Sequence, residues 1–215
     1  MLVLRNINFR RGATPILTNF NLELGAGETC ALLGPSGVGK STLLALTCGI
    51  LSPDSGSIHV EGEDLTALSP SARNAQRAST MGIVFQNLSL MSALSVTDNL
   101  ALAGRMAGAE DTNDSQAQQL LSALGIEDVA GRKPRHLSRG QAQRAAIARA
   151  LMGQPKLILA DEPTASLDAA WRDKAIACIL SHRDTHKSTV LITTHDPAVA
   201  QHFDRVIELQ AAQAA

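Results

Sequence analysis

Phe20, Leu22 and Leu24 alternate with Asn19, Asn21 and Glu23, a period of two that predicts an antiparallel strand with one wet face. The first 24 residues are expected to form a small β layer. Gly56-Ser57-Ile58-His59-Val60 continues it, after the turn-rich Ser52-Pro53-Asp54-Ser55. Leu157-Ile158-Leu159-Ala160 and Val190-Leu191-Ile192-Thr193 are instead short unbroken apolar runs separated by a helical stretch, the pattern of parallel strands buried on both faces. From Val96 to about Leu124 the apolar period is helical. The polar stretch Glu110-Asp111-Thr112-Asn113-Asp114-Ser115 interrupts it and reads as a surface loop. These patterns predict one α/β domain over 1–215, with a mostly parallel core sheet, an N-terminal antiparallel β subdomain and an inserted α-helical subdomain. The β layer and first part of the core occupy about 1–86, the helical subdomain about 87–150, and the rest of the core about 151–215. The tail from Gln210 to Ala215 is too short to be a domain.

The apolar run Cys30-Ala31-Leu32-Leu33 is followed by Gly34-Pro35-Ser36-Gly37-Val38-Gly39-Lys40-Ser41 and then Thr42-Leu43-Leu44-Ala45-Leu46, which is strand, glycine-rich loop and helix. Glycines without a Cβ let successive N–H groups converge on phosphate oxygens at a helix N-terminus. Lys40 supplies a point charge for the β- and γ-phosphates, and the Ser41 hydroxyl a ligand for Mg²⁺. The loop marks the core as that of a P-loop NTPase; a glycine-rich turn capping an ordinary helix is the blander alternative.

Asp161 and Glu162 follow the run 157–160, at the carboxyl edge of the sheet where folds of this kind bind ligands. Asp161 suits a metal held through its water shell, and Glu162 suits a general base aimed at an attacking water. Ser138 and Gln141 have the spacing of a capping box ahead of the alanine-rich helix that continues through Ala150. That helix start would attract anions, although an ordinary capped helix looks the same.

Composition narrows the classes. Hydrophobic residues make up 45% of the 215, yet no apolar run approaches the roughly 20 residues a bilayer span needs. Met1-Leu2-Val3-Leu4-Arg5 lacks the layout of a signal peptide, so the chain is expected in the cytoplasm. Cys30, Cys48 and Cys178 are widely spaced among apolar neighbours and read as small core residues. A net charge of −1, with no Tyr, one Trp and four Phe, gives neither a basic field nor stacking platforms, so no nucleic-acid partner is expected.

Ser138-Arg139-Gly140-Gln141, some twenty residues before Asp161-Glu162 with the 34–41 loop far upstream, resembles the ATPase subunit of an ABC transporter over nearly the whole chain. The resemblance implies ATP and Mg²⁺ as ligands, and two head-to-tail copies (or a pseudo-dimer) that sandwich two nucleotides. It assigns Gly34 to Thr42 as the phosphate loop and Gln86, after Gly82-Ile83-Val84-Phe85, as the Mg²⁺ and interdomain-contact glutamine. Leu137 to Gln141 become the signature, with Ser138, Gly140 and Gln141 serving the nucleotide of the second copy. Asp161 becomes the metal aspartate, Glu162 the catalytic glutamate, Ser166-Leu167-Asp168 the loop that crosses the dimer, and His195 the switch histidine at the γ-phosphate.

It further implies a separate integral membrane permease, docked in a groove beside Gln86 and Asn87-Leu88-Ser89-Leu90-Met91, and a peripheral location on the cytoplasmic face of the inner membrane. A short chain with Ala72-Arg73 to Arg77 ahead of residue 82, ending in Phe203-Asp204-Arg205-Val206-Ile207-Glu208-Leu209, is similar to the lipoprotein-releasing and macrolide-export branch. Position 139 departs from the usual signature glycine, and Arg11 stands where the family stacks an aromatic residue on adenine; a guanidinium plane also stacks on a base. An ABC ATPase that regulates a membrane enzyme or division complex, and a P-loop kinase, remain as other classes.

Overall fold

The computed structural model of the protein describes residues 1–108 and 114–210. The expected polar loop falls largely on 109–113, and the tail on 211–215, outside the described residues. Asp114 and Ser115, read as part of that loop, begin a helix instead.

Two sheets form. The antiparallel one is built from β1 (Leu2–Arg11), β2 (Thr14–Leu24), β4 (Ser55–Val60) and β5 (Glu63–Asp64), in the order β2-β1-β4-β5. The parallel one holds β3 (Thr29–Leu33), β6 (Met81–Val84), β7 (Leu157–Asp161), β8 (Thr189–Thr194) and β9 (Arg205–Glu208), in the order β6-β7-β8-β3-β9. The helices are α1 (Lys40–Thr47), α2 (Pro70–Thr80), α3 (Val96–Met106), α4 (Asp114–Ala123), α5 (Arg139–Leu151), α6 (Ala169–His186) and α7 (Pro197–Ala200).

Strand periodicity explains the layering. Cys30, Leu32, Leu157, Leu159 and Leu191 point from one face of the parallel sheet into a core shared with α1 and the antiparallel sheet. Ala31, Ile158, Ala160, Val190 and Ile192, the intervening residues, point from the other face into a core built with α3 to α6. Both faces are covered, so β7 and β8 are buried along their whole length. Each large aliphatic side chain so placed contributes about 1.5–3 kcal/mol of transfer free energy. In β2, Leu22 and Leu24 face the core while Asn21 and Glu23 are exposed, as the alternation predicts.

Cys30 and Cys48 are buried and Cys178 is half-buried. Burial pushes the Cys30 thiol up to about 12 and the Cys178 thiol up to about 11. Among the described residues no helix is long and apolar enough to cross a membrane.

Gly82 marks the tightest approach of sheet and helix: a Cβ there would overlap the Ala150 carbonyl oxygen and lie 2.8 Å from the Pro155 ring. Backbone cannot yield as a side-chain tip does. Gly82→Ala is therefore expected to cost about 3 kcal/mol, and to lower the melting temperature by on the order of 10 °C in a thermal scan.

Candidate nucleotide site

The loop from Gly34 carries β3 into α1. Gly39 is the N-cap of α1 with φ 110°, a conformation that requires glycine, and a Cβ there would also press on the Ile16 side chain at 2.8 Å. No side chain caps this helix, and its first turn holds no acidic residue. Its leading N–H groups are therefore free to meet an anion. Lys40 is only 6% exposed, and its Nζ donates to the carbonyls of Gly34 at 2.6 Å and Pro35 at 3.1 Å. The same ammonium lies 3.5 Å from Glu162 Oε1. Arg11 reaches the rim of the site, where its Nη2 is 3.5 Å from the Thr42 hydroxyl. Pro35, Ser36, Gly37 and Ser41 are exposed, whereas Val38 and Thr42 are buried.

β8 lies between β3 and β7, with Asp161 opposite Thr193. The Thr193 hydroxyl donates to Asp161 Oδ1 at 2.6 Å, and the Glu162 N–H reaches the hydroxyl oxygen of Thr193 at 3.1 Å. Thr193 thus fixes both carboxylate residues, a role hidden in the sequence because it ends an apolar run as any strand threonine would. Glu162 has φ 49°, a left-handed conformation that costs a side-chain-bearing residue about 1–2 kcal/mol. The turn delivers its carboxylate between Lys40 and His195, whose Nδ1 is 2.9 Å from Glu162 Oε2. An ionised carboxylate only accepts, so Nδ1 carries the proton of this bond. The His195 side chain is otherwise 59% exposed.

The structure thus gathers Lys40, Asp161, Glu162 and His195 at one sheet edge. Ser138 to Gln141 are held differently. Ser138 Oγ accepts from the Gln141 N–H at 3.2 Å and Gln141 Oε1 accepts from the Ser138 N–H at 2.9 Å, the full capping box. Each side chain bonds the other residue's backbone N–H, and neither bonds a residue of the 34–42 loop. Arg139, on the first turn of α5, is exposed; Gly140 lies against the 166–168 loop of its own chain, where a Cβ would be 3.3 Å from the Ser166 carbonyl oxygen. Asp168 caps α6 by accepting from the Trp171 N–H at 2.9 Å. Gln86 is exposed. Beside its loop opens a groove of about 460 Å³ lined by Phe85, Met91, Leu102, Met106, Arg149 and Met152. Leu88 and Leu90, whose sequence is compatible with either docking contact or core packing, pack against the protein's own core, whereas Met91 is exposed in the groove.

A strand, a glycine-rich loop and a helix, facing a carboxylate pair two parallel strands away, make this protein a P-loop nucleoside triphosphatase. A sequence profile described as ABC transporter matches residues 17–165. The lipoprotein-releasing system ATP-binding protein LolD 1 of Rhodopirellula baltica is 41% identical over 90% of this chain and 85% of its own length. The macrolide export ATP-binding/permease protein MacB 1/2 of Paracoccus denitrificans is 38% identical over 92% of this chain, which spans 30% of that protein. Among solved structures, the dimeric post-hydrolysis ATP-binding cassette MJ0796 bound to ADP and Pi superposes with a TM-score of 0.91 at 32% identity, covering 98% of this chain and 94% of that one. The chain belongs to the ABC transporter family and is an ATP-hydrolysing subunit of it.

Proposed function

We propose that this ATPase drives a separate membrane permease of the lipoprotein-release or macrolide-export type, from the cytoplasmic face of the inner membrane, through a head-to-tail homodimer. The observation that carries the chemistry is the Glu162 carboxylate set between Lys40 and His195 beside the uncapped start of α1. The names of the LolD and MacB relatives support the cargo class, and the dimeric cassette supports the assembly.

The roles in this reading combine the positions above with the family resemblance. N–H groups of the 34–42 loop hold the triphosphate, and Lys40, withdrawn from its loop carbonyls, pairs with the β- and γ-phosphates. Glu162 takes the proton of the water whose oxygen attacks the γ-phosphorus in line with the bond to ADP; that bond breaks as ADP leaves, and His195 orients the water and the carboxylate. Ser41, Gln86 and Asp161 offer only oxygen donors, the ligand chemistry that suits Mg²⁺. Mg²⁺, when bound, neutralises charge on the phosphate oxygens. Ser138, Gly140 and Gln141 close the site of the second copy, and Arg11 stacks on adenine. The groove lined by Met91 and Met106 receives the permease.

Tagged protein isolated from membranes is expected to bring down an integral membrane protein with a translocation path, and to hydrolyse ATP faster when an acylated protein or amphiphile is supplied. A membrane partner without such a path, and a rate indifferent to cargo, would favour a regulatory role.

A further inference from the structure

Trp171 is the one tryptophan of the chain, and its ring meets two cations. The Arg144 guanidinium lies 3.9 Å and the Lys174 ammonium 4.4 Å from its ring centroid. Arg144 is buried on α5, and its Nη1 donates to the carbonyls of Leu124 at 2.6 Å and Gly125 at 2.8 Å, just past α4. The carboxylates of Asp128 and Asp168 offset part of the desolvation of this guanidinium. Gly125 has φ 56°, and a Cβ there would collide with the indole, so the ring rests directly on this backbone.

The stack belongs to a larger contact. Trp171 donates its backbone N–H to Asp168, which ends the 166–168 loop. One turn before Arg144, the bare backbone of Gly140 lies so close to the Ser166 carbonyl oxygen that an added Cβ would stand 3.3 Å from it. The start of α5 and the 166–168 loop with the helix it opens therefore touch at two points within one chain, Gly140 to Ser166 and Arg144 to Trp171. Arg172 carries the contact onward, 3.3 Å from Asp196, the neighbour of His195.

We propose that Trp171 is a positioning residue: stacked on Arg144, it holds the 166–168 loop and the start of α5 in one fixed relation, so that both meet the second subunit as a single surface. The proposal rests on the head-to-tail reading above. A desolvated cation over an indole face is a directional contact that an aliphatic side chain of similar bulk does not replace.

The test uses full-length chain carrying Glu162→Gln, with ATP-driven dimerisation followed by sedimentation and monomer affinity by a fluorescent ATP analogue. Adding Trp171→Leu is expected to weaken the dimer about tenfold while monomer ATP affinity stays within about twofold. Trp171→Phe, which retains a weaker π face, is expected to lose only about threefold. In the Glu162-intact background, Trp171→Leu lowers kcat and leaves the KM for ATP unchanged. A leucine variant that dimerises like its parent, a phenylalanine variant no better than leucine, or a parallel loss of monomer ATP binding would each overturn the proposal. If the leucine variant does not fold, the phenylalanine variant decides alone: no weakening of its dimer refutes the role. Failure of the Glu162→Gln parent to dimerise would sink the head-to-tail reading itself, and is seen before any Trp171 variant is made.

Discussion

Glu162→Gln is expected to stop turnover while leaving ATP bound, with kcat falling by roughly 10²–10⁴, the usual contribution of a positioned general base. The amide keeps the shape of the side chain and still reaches His195, but it cannot take a proton from water. Loss of the negative charge 3.5 Å from Lys40 also frees the ammonium for phosphate, so nucleotide affinity should not fall. If, as proposed, hydrolysis reopens the closed pair, loaded dimers accumulate and run as a larger species in size-exclusion chromatography with ATP. Normal turnover by this variant would remove Glu162 from the role of base.

Gly140→Ala is expected to have the next largest effect, a loss of roughly 10²–10³ in kcat, comparable to removing one backbone donor from a charge-stabilising site. Within its own chain the change is mild, since the new Cβ stands 3.3 Å from the Ser166 carbonyl oxygen and 3.6 Å from Leu167. On the head-to-tail proposal, what it obstructs is the close approach of the α5 start to a γ-phosphate held by the other subunit. Monomer ATP affinity, read with a fluorescent analogue, should stay nearly unchanged. A large drop in that affinity would mean that α5 acts on the nucleotide of its own chain.

The phosphate loop and the carboxylate pair are legible in the sequence because each needs special local residues: glycine where φ is positive, and acids directly after a buried apolar run. The capping box is legible for the same reason, two side chains three residues apart that satisfy each other's backbone. The order of the parallel strands is not, because Leu157–Asp161 and Thr189–Thr194 look alike as apolar runs, and only the assembled sheet sets β8 between β7 and β3. Thr193 is hidden since its hydroxyl acts across strands, on residues 32 and 31 positions earlier. Arg144 and Trp171 likewise meet only through packing of α5 on α6. The placement of Asp114 and Ser115 in α4 goes against their polarity; both suit the first turn of a helix, where Asp complements the dipole.

In the proposed assembly each subunit provides the bed for its own triphosphate and the lid for its neighbour's. Mixing two inactive variants tests it directly, one with Lys40→Met in the bed and the other with Gly140→Ala in the lid. In the mixed dimer one site combines both defects and the other neither, so ATP hydrolysis should reappear that neither variant alone supports. A mixture as inactive as its components, with mixed dimers demonstrably formed, would mean that the two subunits do not share their sites in this way.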